Sequence, residues 1–163
     1  MNILFVCTGN TCRSIMAEII LKEKIRDRFG ENALKIFCVE SAGIMADNST
    51  NISHNANKVL EEFYNKKFDS KRKSKLLDSK IIENCDIILS VTKNHKEFIQ
   101  SNFSIENNKL FTIEEFINES CDISDPYMGD LEIYKRTLFK LDYLLNKVLD
   151  KLNEFGGRNE KYF

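Results

Sequence analysis

The fold of this chain is constrained most by an eight-residue stretch near the amino terminus, Cys7-Thr8-Gly9-Asn10-Thr11-Cys12-Arg13-Ser14. It follows a short apolar run at residues 2–6 and precedes a segment whose apolar residues have helical spacing. That order predicts a buried strand, a tight loop and a helix. A loop in this position directs backbone N–H groups and the positive end of a helix dipole toward an anion.

The same stretch holds two groups suited to chemistry on an anion. Cys7 ends the predicted strand, and we expect the loop amides and Arg13 to lower its thiol pKa from about 8.5 into the range of roughly 3.5–7.5. A guanidinium can hold two oxygens of a phosphate bidentately. Gly9 permits close backbone approach, Asn10 tolerates left-handed geometry, and Ser14 stands where a helix N-cap belongs. The alternative is a buried cysteine that merely ends a strand beside a solvated arginine.

Two further stretches, Ser41-Ala42-Gly43 and Asp125-Pro126-Tyr127, complete a pattern that resembles the low-molecular-weight protein tyrosine phosphatase family. The resemblance extends from Asn2 to about Leu152. Threonine at both positions 8 and 11 is most similar to the bacterial protein-arginine phosphatases of that family. The resemblance implies that Cys7–Ser14 is a phosphate loop between the first strand and the first helix.

Short apolar runs alternate with segments of helical period along the chain, which predicts α/β architecture with a doubly wound parallel sheet. We expect one three-layer domain over residues 1–163, with a four-stranded parallel sheet, about five flanking helices and a frayed tail at 158–163. The predicted strands are residues 2–6, 35–40, 85–91 and 109–112. The predicted helices begin near 14, 53, 76, 93 and 131, with a helical turn at 114–117, and Gly156-Gly157 is expected to end the last one.

These residues predict cysteine-dependent hydrolysis of a phosphorylated protein. Cys7 would attack phosphorus and form a cysteinyl-phosphate, and Asp125 would protonate the leaving atom and then activate water. Asp125 precedes the only proline of the chain, which favours its presentation from a loop, although Asp-Pro is also a plain turn signal. The phosphate would be held by the loop amides and the guanidinium, that is by Thr8, Gly9, Asn10, Thr11, Cys12, Arg13 and Ser14.

Supporting residues around the phosphate loop follow from the resemblance. It implies that Ser41 braces the loop by bonding to Asn10, whereas its ordinary alternative is a turn serine. The Ser14 hydroxyl is expected to donate to the Cys7 sulfur and stabilise it as a leaving group. Relatives often carry a histidine that bonds the loop asparagine, but Lys71-Arg72-Lys73 occupies that region here, so the replacement for this brace is open.

Substrate choice is expected to depend on the rim of the loop. Thr11 offers a hydroxyl where an apolar side chain would grip a phenyl ring, and Tyr127 is expected to form a wall of the cleft. Residues 44–51 contain no aromatic side chain, and Met128 stands where relatives often have a second aromatic. A phosphoguanidinium is polar and needs acceptors, which favours phosphoarginine over phosphotyrosine as the substrate.

Three other functions were weighed. An arsenate reductase needs additional resolving cysteines, and Cys85 is isolated at the start of a predicted strand. A phosphate-binding module would need neither Cys7 nor Asp125, and a flavodoxin-like electron carrier would need an aromatic pair that is not evident. Cys12 is close enough to Cys7 to act as a redox guard through a disulfide, or else is a small core residue. The two histidines, His54 and His95, are expected to be structural.

Composition limits which partners and which cellular compartment are expected. The net charge of −1 and the pI of about 6.2 argue against nucleic-acid binding by phosphate neutralisation. The five cysteines match neither a disulfide framework nor paired zinc ligands. No metal is expected because the loop itself supplies the positive field, and no cofactor is expected either. No signal peptide or membrane span is evident. We therefore expect a cytoplasmic monomer whose partners are phosphorylated proteins and phosphate or another oxyanion.

Overall fold

The protein contains one four-stranded parallel sheet, as seen in a computed structural model that describes residues 1–106, 108–120 and 123–158. The strands are β1 (Asn2–Cys7), β2 (Cys38–Gly43), β3 (Ile87–Ser90) and β4 (Leu110–Thr112). Their order across the sheet is β2-β1-β3-β4, and every pairing is parallel. The predicted α/β fold with a four-stranded parallel sheet is therefore confirmed.

The strand order puts the first loop at a natural binding position. From β1 the chain moves to β2 on one side, and later strands lie on the other side, so the direction of winding reverses at β1. Ligands in open parallel sheets bind beyond the carboxyl ends of the strands at such a reversal. Cys7 is the last residue of β1 and lies opposite Gly43 at the end of β2.

Helices cover both faces of the sheet and make the three layers. They are α1 (Arg13–Phe29), α2 (His54–Tyr64), α3 (Ser79–Glu83), α4 (Lys93–Asn102), α5 (Ile113–Ile117) and α6 (Leu131–Arg158). Ile3 and Phe5 of β1 pack in the core shared with α1, α2, α5 and α6, whereas Leu4 and Val6 pack in the core shared with α3 and α4. This alternation follows from the two-residue period of a strand. Among the described residues, no helix is both long and apolar enough to cross a bilayer.

The second strand begins three residues later than predicted. Residues Glu31–Lys35 form a 3₁₀ helix, and the amides of Ile36 and Phe37 both donate to the carbonyl of Ala33, at 3.0 and 2.8 Å. Phe37 is buried and stacks on Phe29 at the end of α1. The apolar run therefore closes a turn against α1, and Ser41 to Gly43 lie within β2 instead of following it.

Several other boundaries also differ from the predictions. Ser14 is not an N-cap, because α1 already begins at Arg13 and its hydroxyl bonds elsewhere. The third strand is limited to Ile87–Ser90, and α3 starts late because Asp78 caps it by accepting the N–H of Ile81. The last helix continues through Gly156 and Gly157 to Arg158, since a helix interior tolerates glycine at a cost of about 1 kcal/mol each. The rest of the predicted tail, 159–163, lies outside the described residues.

Candidate active site

The phosphate loop is built tightly between β1 and α1. Asn10 at its centre is fully buried and has a φ of 52°, a left-handed conformation that asparagine tolerates. Gly43 at the end of β2 packs beneath the loop, where a Cβ atom would lie 2.5 Å from the carbonyl oxygen of Thr8 and 2.8 Å from the amide of Asn10. Only glycine fits at that position, so the end of β2 supports the loop.

The orientation of Asn10 is fixed by three hydrogen bonds. Its Oδ1 accepts the backbone N–H of Lys75 at 2.9 Å, which identifies the opposite atom as the donor. Its Nδ2 donates to the hydroxyl oxygens of Ser14 and Ser41, each at 2.8 Å. The bond from Asn10 to Ser41 that the resemblance implied is therefore present.

The Ser14 hydroxyl connects this asparagine to Cys7. Its oxygen lies 2.9 Å from the Cys7 sulfur and already accepts from Asn10. Because a hydroxyl carries one hydrogen, the hydrogen of Ser14 is free to point at the sulfur. The direction of donation therefore runs from Asn10 through Ser14 to Cys7, which suits a thiolate.

A buried carboxylate accepts a hydrogen bond from Ser41, the second serine that Asn10 contacts. The sequence analysis did not predict this carboxylate. Glu18 accepts the Ser41 hydroxyl at 2.7 Å, pairs with Arg72, and accepts from Lys22 at 2.6 Å. Arg72 also approaches the Ser41 hydroxyl at 3.4 Å. Arg72 and the Lys75 amide thus occupy the region where relatives often have a bracing histidine. A charged residue on the apolar side of α1 was the available sequence signal for Glu18.

The net direction predicted for the Cys7 pKa is wrong. Burial raises the pKa of the Cys7 thiol above its usual range, and this outweighs the groups that lower it. Those groups are the Ser14 hydroxyl, the backbone N–H groups of Ser14 and Asn10, and the charge of Arg13. The stabilising neighbours were predicted correctly, whereas the nearly complete burial of the sulfur was not.

Arg13 and Asp125 meet at the same site from opposite ends of the chain. The buried guanidinium of Arg13 forms an ion pair with Asp125 and donates to the carbonyl of Ile123 at 3.4 Å. Asp125 is about half exposed, and its other oxygen accepts the N–H of Tyr127 at 3.1 Å. The pair connects the start of α1 to the loop before α6, so a cation for oxyanions and a carboxyl group for proton transfer share one cleft.

The cleft above the loop has a volume of about 530 Å³, and several polar side chains stand among its lining residues. Thr11 is half-buried there, and its carbonyl accepts the N–H of Ser53 at 2.9 Å. Tyr127 lines the cleft as predicted and is 69% exposed. The carboxylate of Asp47 also reaches this rim, which the sequence prediction did not include. Other lining residues are Cys7, Thr8, Gly9, Cys12, Arg13, Met45, Thr50, Asn51, Ser53 and Asp125.

His95 contacts the phosphate loop, although its expected role was only packing or surface structure. Its Nε2 lies 2.9 Å from the Thr8 hydroxyl, and its Nδ1 lies 2.9 Å from the Thr92 hydroxyl. Burial, with the charge of Arg13, lowers the pKa of His95 to about 4, against the opposing charge of Asp125. The imidazole is therefore neutral at pH 7. Thr92, the N-cap three residues earlier, was the only sequence signal near it.

Cys12 faces the last helix. Its sulfur lies 3.2 Å from the hydroxyl of Tyr134, which accepts from Ser53 at 3.0 Å and so has its hydrogen free for Cys12. The thiol is buried and unpaired with another cysteine. Within the described ranges, no cluster of three or more histidine, cysteine or acidic side chains is arranged to hold a metal ion.

Comparisons with known proteins agree with this geometry. Residues 2–156 match the family described as low molecular weight phosphotyrosine protein phosphatase. The protein-arginine-phosphatase of Bacillus subtilis is 36% identical over 155 residues, which cover 94% of this chain and 98% of that protein. The low molecular weight protein-tyrosine-phosphatase PtpB of Staphylococcus aureus is 36% identical over 150 residues, covering 92% and 98%.

A solved structure supports the same relationship. It is a cysteine-to-serine mutant of the YwlE arginine phosphatase with a phosphorylated active-site serine. It superposes with a TM-score of 0.83 at 33% identity and covers 99% of this chain and 98% of its own.

Proposed function

The chain belongs to the low molecular weight phosphotyrosine protein phosphatase family, and we propose that it hydrolyses phosphoarginine in proteins through a cysteinyl-phosphate on Cys7. The cysteine-based phosphatase chemistry follows from the family. The choice of phosphoarginine rests on one observation, the presence of Thr11, Asp47 and Asp125 among the residues that line the cleft. The roles of individual residues are part of the proposal.

In the first step the Cys7 sulfur attacks phosphorus, and the bond from phosphorus to the guanidine nitrogen breaks. The electron pair stays on that nitrogen, which takes a proton from Asp125. The loop amides and Arg13 hold the three phosphoryl oxygens. The related YwlE mutant that carries phosphate on an active-site serine supports a covalent intermediate at this position.

In the second step a water oxygen attacks phosphorus while Asp125 accepts a proton from that water. The bond from phosphorus to sulfur breaks, and its electron pair returns to Cys7. The Ser14 oxygen lies 2.9 Å from the sulfur, and its hydrogen would stabilise the departing thiolate. The network from Asn10 through Ser14 therefore serves chiefly the thiolate states at either end of the cycle.

The preference for phosphoarginine rests on acceptors around the cleft. A guanidinium has only donors, and the rim offers the carboxylates of Asp47 and Asp125 and the hydroxyl of Thr11. Hydrogen bonds from Ser49 hold the pKa of Asp47 below its usual range, so it is ionised at neutral pH. Polar sites that must be satisfied by substrate donors discriminate strongly against substrates without them.

Tyrosine phosphatase activity is the second candidate. Tyr127 and Met45 are exposed beside the cleft and could flank a phenyl ring. A relative named as a tyrosine phosphatase is as similar to this chain as the one named as an arginine phosphatase, both at 36% identity. Overall similarity therefore favours neither substrate, and the proposal of phosphoarginine depends on the acceptors that line the cleft.

Arsenate reduction is disfavoured by the position of Cys85. Its neighbour Asp86 pairs with Asn2 at the start of β1, whereas Cys7 ends that strand. Five residues of strand separate the two ends by about 16 Å. A resolving thiol at Cys85 would have to move from the amino ends to the carboxyl ends of the central strands.

The decisive experiment compares kcat/KM on matched phosphoarginine and phosphotyrosine peptides in wild type, Thr11→Ile and Thr11→Ser. Wild type is expected to prefer phosphoarginine. Thr11→Ile should lower phosphoarginine kcat/KM about tenfold or more, because a lost hydrogen bond and an unpaired donor together cost about 1.5–4.5 kcal/mol. Thr11→Ser keeps the hydroxyl and should retain the preference. A wild type that prefers phosphotyrosine, or an unchanged ratio in Thr11→Ile, would contradict the proposal.

A further inference from the structure

We propose that His95 is a positioning residue that fixes the Thr8 hydroxyl as a hydrogen-bond donor to the oxyanion held by the phosphate loop. Thr8 directly follows Cys7, is exposed, and lines the cleft. His95 is buried on α4, outside the loop and outside the chemistry assigned above. The inference rests on the proposed function only in assuming that the cleft binds phosphate.

Nδ1 of the His95 imidazole lies beside the hydroxyl of Thr92. The Thr92 oxygen caps α4 by accepting the backbone N–H of His95 at 3.4 Å. Its single hydrogen is then available for Nδ1, which lies 2.9 Å away. We therefore assign Nδ1 as the acceptor in this contact.

Nε2 of the same imidazole lies beside the hydroxyl of Thr8. A neutral imidazole carries one N–H, so with Nδ1 accepting, the hydrogen is on Nε2. Nε2 lies 2.9 Å from the Thr8 oxygen and donates to it. The hydrogen of the Thr8 hydroxyl is thereby left to point into the cleft, where the ligand is an anion that needs donors.

Two chains of hydrogen bonds therefore end at the same cleft, and in each one the last hydroxyl directs its hydrogen toward the site. Asn10 donates to Ser14, which points its hydrogen at the sulfur of Cys7. Thr92 donates to His95, and His95 donates to Thr8. The first chain directs a hydrogen to the nucleophile, and the second directs one to the phosphoryl oxygens. Each fixes the direction of a hydroxyl that would otherwise rotate freely.

The test is a double-mutant cycle read out by binding of inorganic phosphate, followed by NMR on ¹⁵N-labelled protein. Thr8→Val should weaken phosphate binding about tenfold, the effect expected from losing one hydrogen bond to a charged group. His95→Phe should weaken it about three- to tenfold. The double variant should bind no more weakly than Thr8→Val alone, because His95 acts through Thr8. His95→Gln keeps an N–H donor near the Nε2 position and should stay within about twofold of wild type.

Losses that multiply in the double variant, or phosphate affinity unchanged in both single variants, would overturn the proposal. A direct check reads the protonation of His95 in the wild-type protein. The chain has two histidines, and His95→Gln identifies their side-chain ¹⁵N signals. Wild type at pH 7 should show His95 protonated on Nε2 alone, and protonation on Nδ1 would overturn the assignment even if His95→Phe failed to fold. Neither readout requires turnover, so a wild type inactive on phosphoarginine would count against the proposed function and leave this test intact.

Discussion

Each end of the central strands has a thiol beside a surface cleft, and the two thiols have different polar neighbours. At the carboxyl end, Cys7 lies in the cleft of about 530 Å³. At the amino end, Cys85 lines a cleft of about 420 Å³ together with the exposed Cys38. Burial raises the pKa of Cys7 and of Cys85 alike, so burial does not distinguish them.

The two thiols differ in whether their polar neighbours accept or donate hydrogen bonds. The Cys85 thiol donates to the carbonyl of Ile81 at 3.0 Å, and burial, aided by the charge of Glu40, raises its pKa to about 11. Around Cys7 the neighbours are donors and a guanidinium, which all favour the thiolate. The two thiols therefore differ in their polar neighbours, because the Cys85 thiol faces an acceptor and the Cys7 thiol faces donors.

The largest expected effect separates these two cysteines. Cys7→Ser should reduce turnover by at least about 10⁴-fold, as removal of a nucleophile does in other covalent enzymes. Cys85→Ser should leave kcat/KM on a phosphorylated peptide near the wild-type value. The measurement is steady-state kinetics of both variants, with circular dichroism as the folding control. Comparable losses of kcat/KM in the two variants would contradict the difference proposed between Cys7 and Cys85.

The next effect concerns the proton donor at the carboxyl end. Asp125→Asn should slow hydrolysis by about 10²–10⁴-fold, the range for a general acid or base. The loss in the first step should shrink for substrates whose leaving group needs no proton. Asp86→Asn at the amino end provides a matched control and should change little. A loss from Asp125→Asn that is equal for all leaving groups would identify Asp125 as a structural partner of Arg13.

A smaller effect tests the donor network itself. Ser14→Ala removes a hydrogen bond that lowers the Cys7 pKa, so that pKa should rise and the thiolate fraction at a given pH should fall. The pH at which alkylation of Cys7 becomes fast should therefore be higher in Ser14→Ala than in wild type. The kcat of the variant should fall about tenfold. Alkylation of Cys85 in the same sample is the internal control. A pH profile for Cys7 that does not move upward would contradict the role given to Ser14.

The smallest expected effect is on the recovery of activity after oxidation by peroxide, which should depend on Cys12 and not on Cys85. Peroxide converts Cys7 to a sulfenic acid, and attack by the Cys12 thiol would release water and form a disulfide. Cys12 would first have to leave the hydroxyl of Tyr134. Wild type should regain activity with a thiol reductant, and mass spectrometry should show the Cys7–Cys12 link. If Cys12→Ser recovers as fully as wild type, the guard hypothesis fails, whereas Cys85→Ser should behave as wild type throughout.

The carboxyl end was also the part most accessible to sequence analysis. Cys7, Arg13 and Ser14 are close in sequence, so a loop between a strand and a helix determines their mutual placement. Asp125 lies 112 residues from Arg13 and was predicted from its place before the proline together with the family resemblance. The parallel sheet followed from alternating apolar runs, although turn formation at Ala33 displaced the start of β2.

The residues that were missed act through long-range contacts without a local pattern. Glu18 and Arg72 are ordinary charged residues until the fold brings them to Ser41. His95 is recognisable only when α4 places it against Thr8, 87 residues earlier. The net pKa of Cys7 was misjudged because its burial depends on the packing of the whole cleft.

The central claim is that donors surrounding Cys7 make it the covalent nucleophile, and trapping the intermediate tests it most directly. Asp125→Asn should still form a phosphoenzyme from para-nitrophenyl phosphate, whose leaving group needs no proton, but should hydrolyse it slowly. Rapid quenching followed by peptide mass spectrometry should then find one phosphoryl group on the peptide that contains Cys7. Phosphate on another residue, or product release with no phosphoenzyme at any time point, would contradict the account.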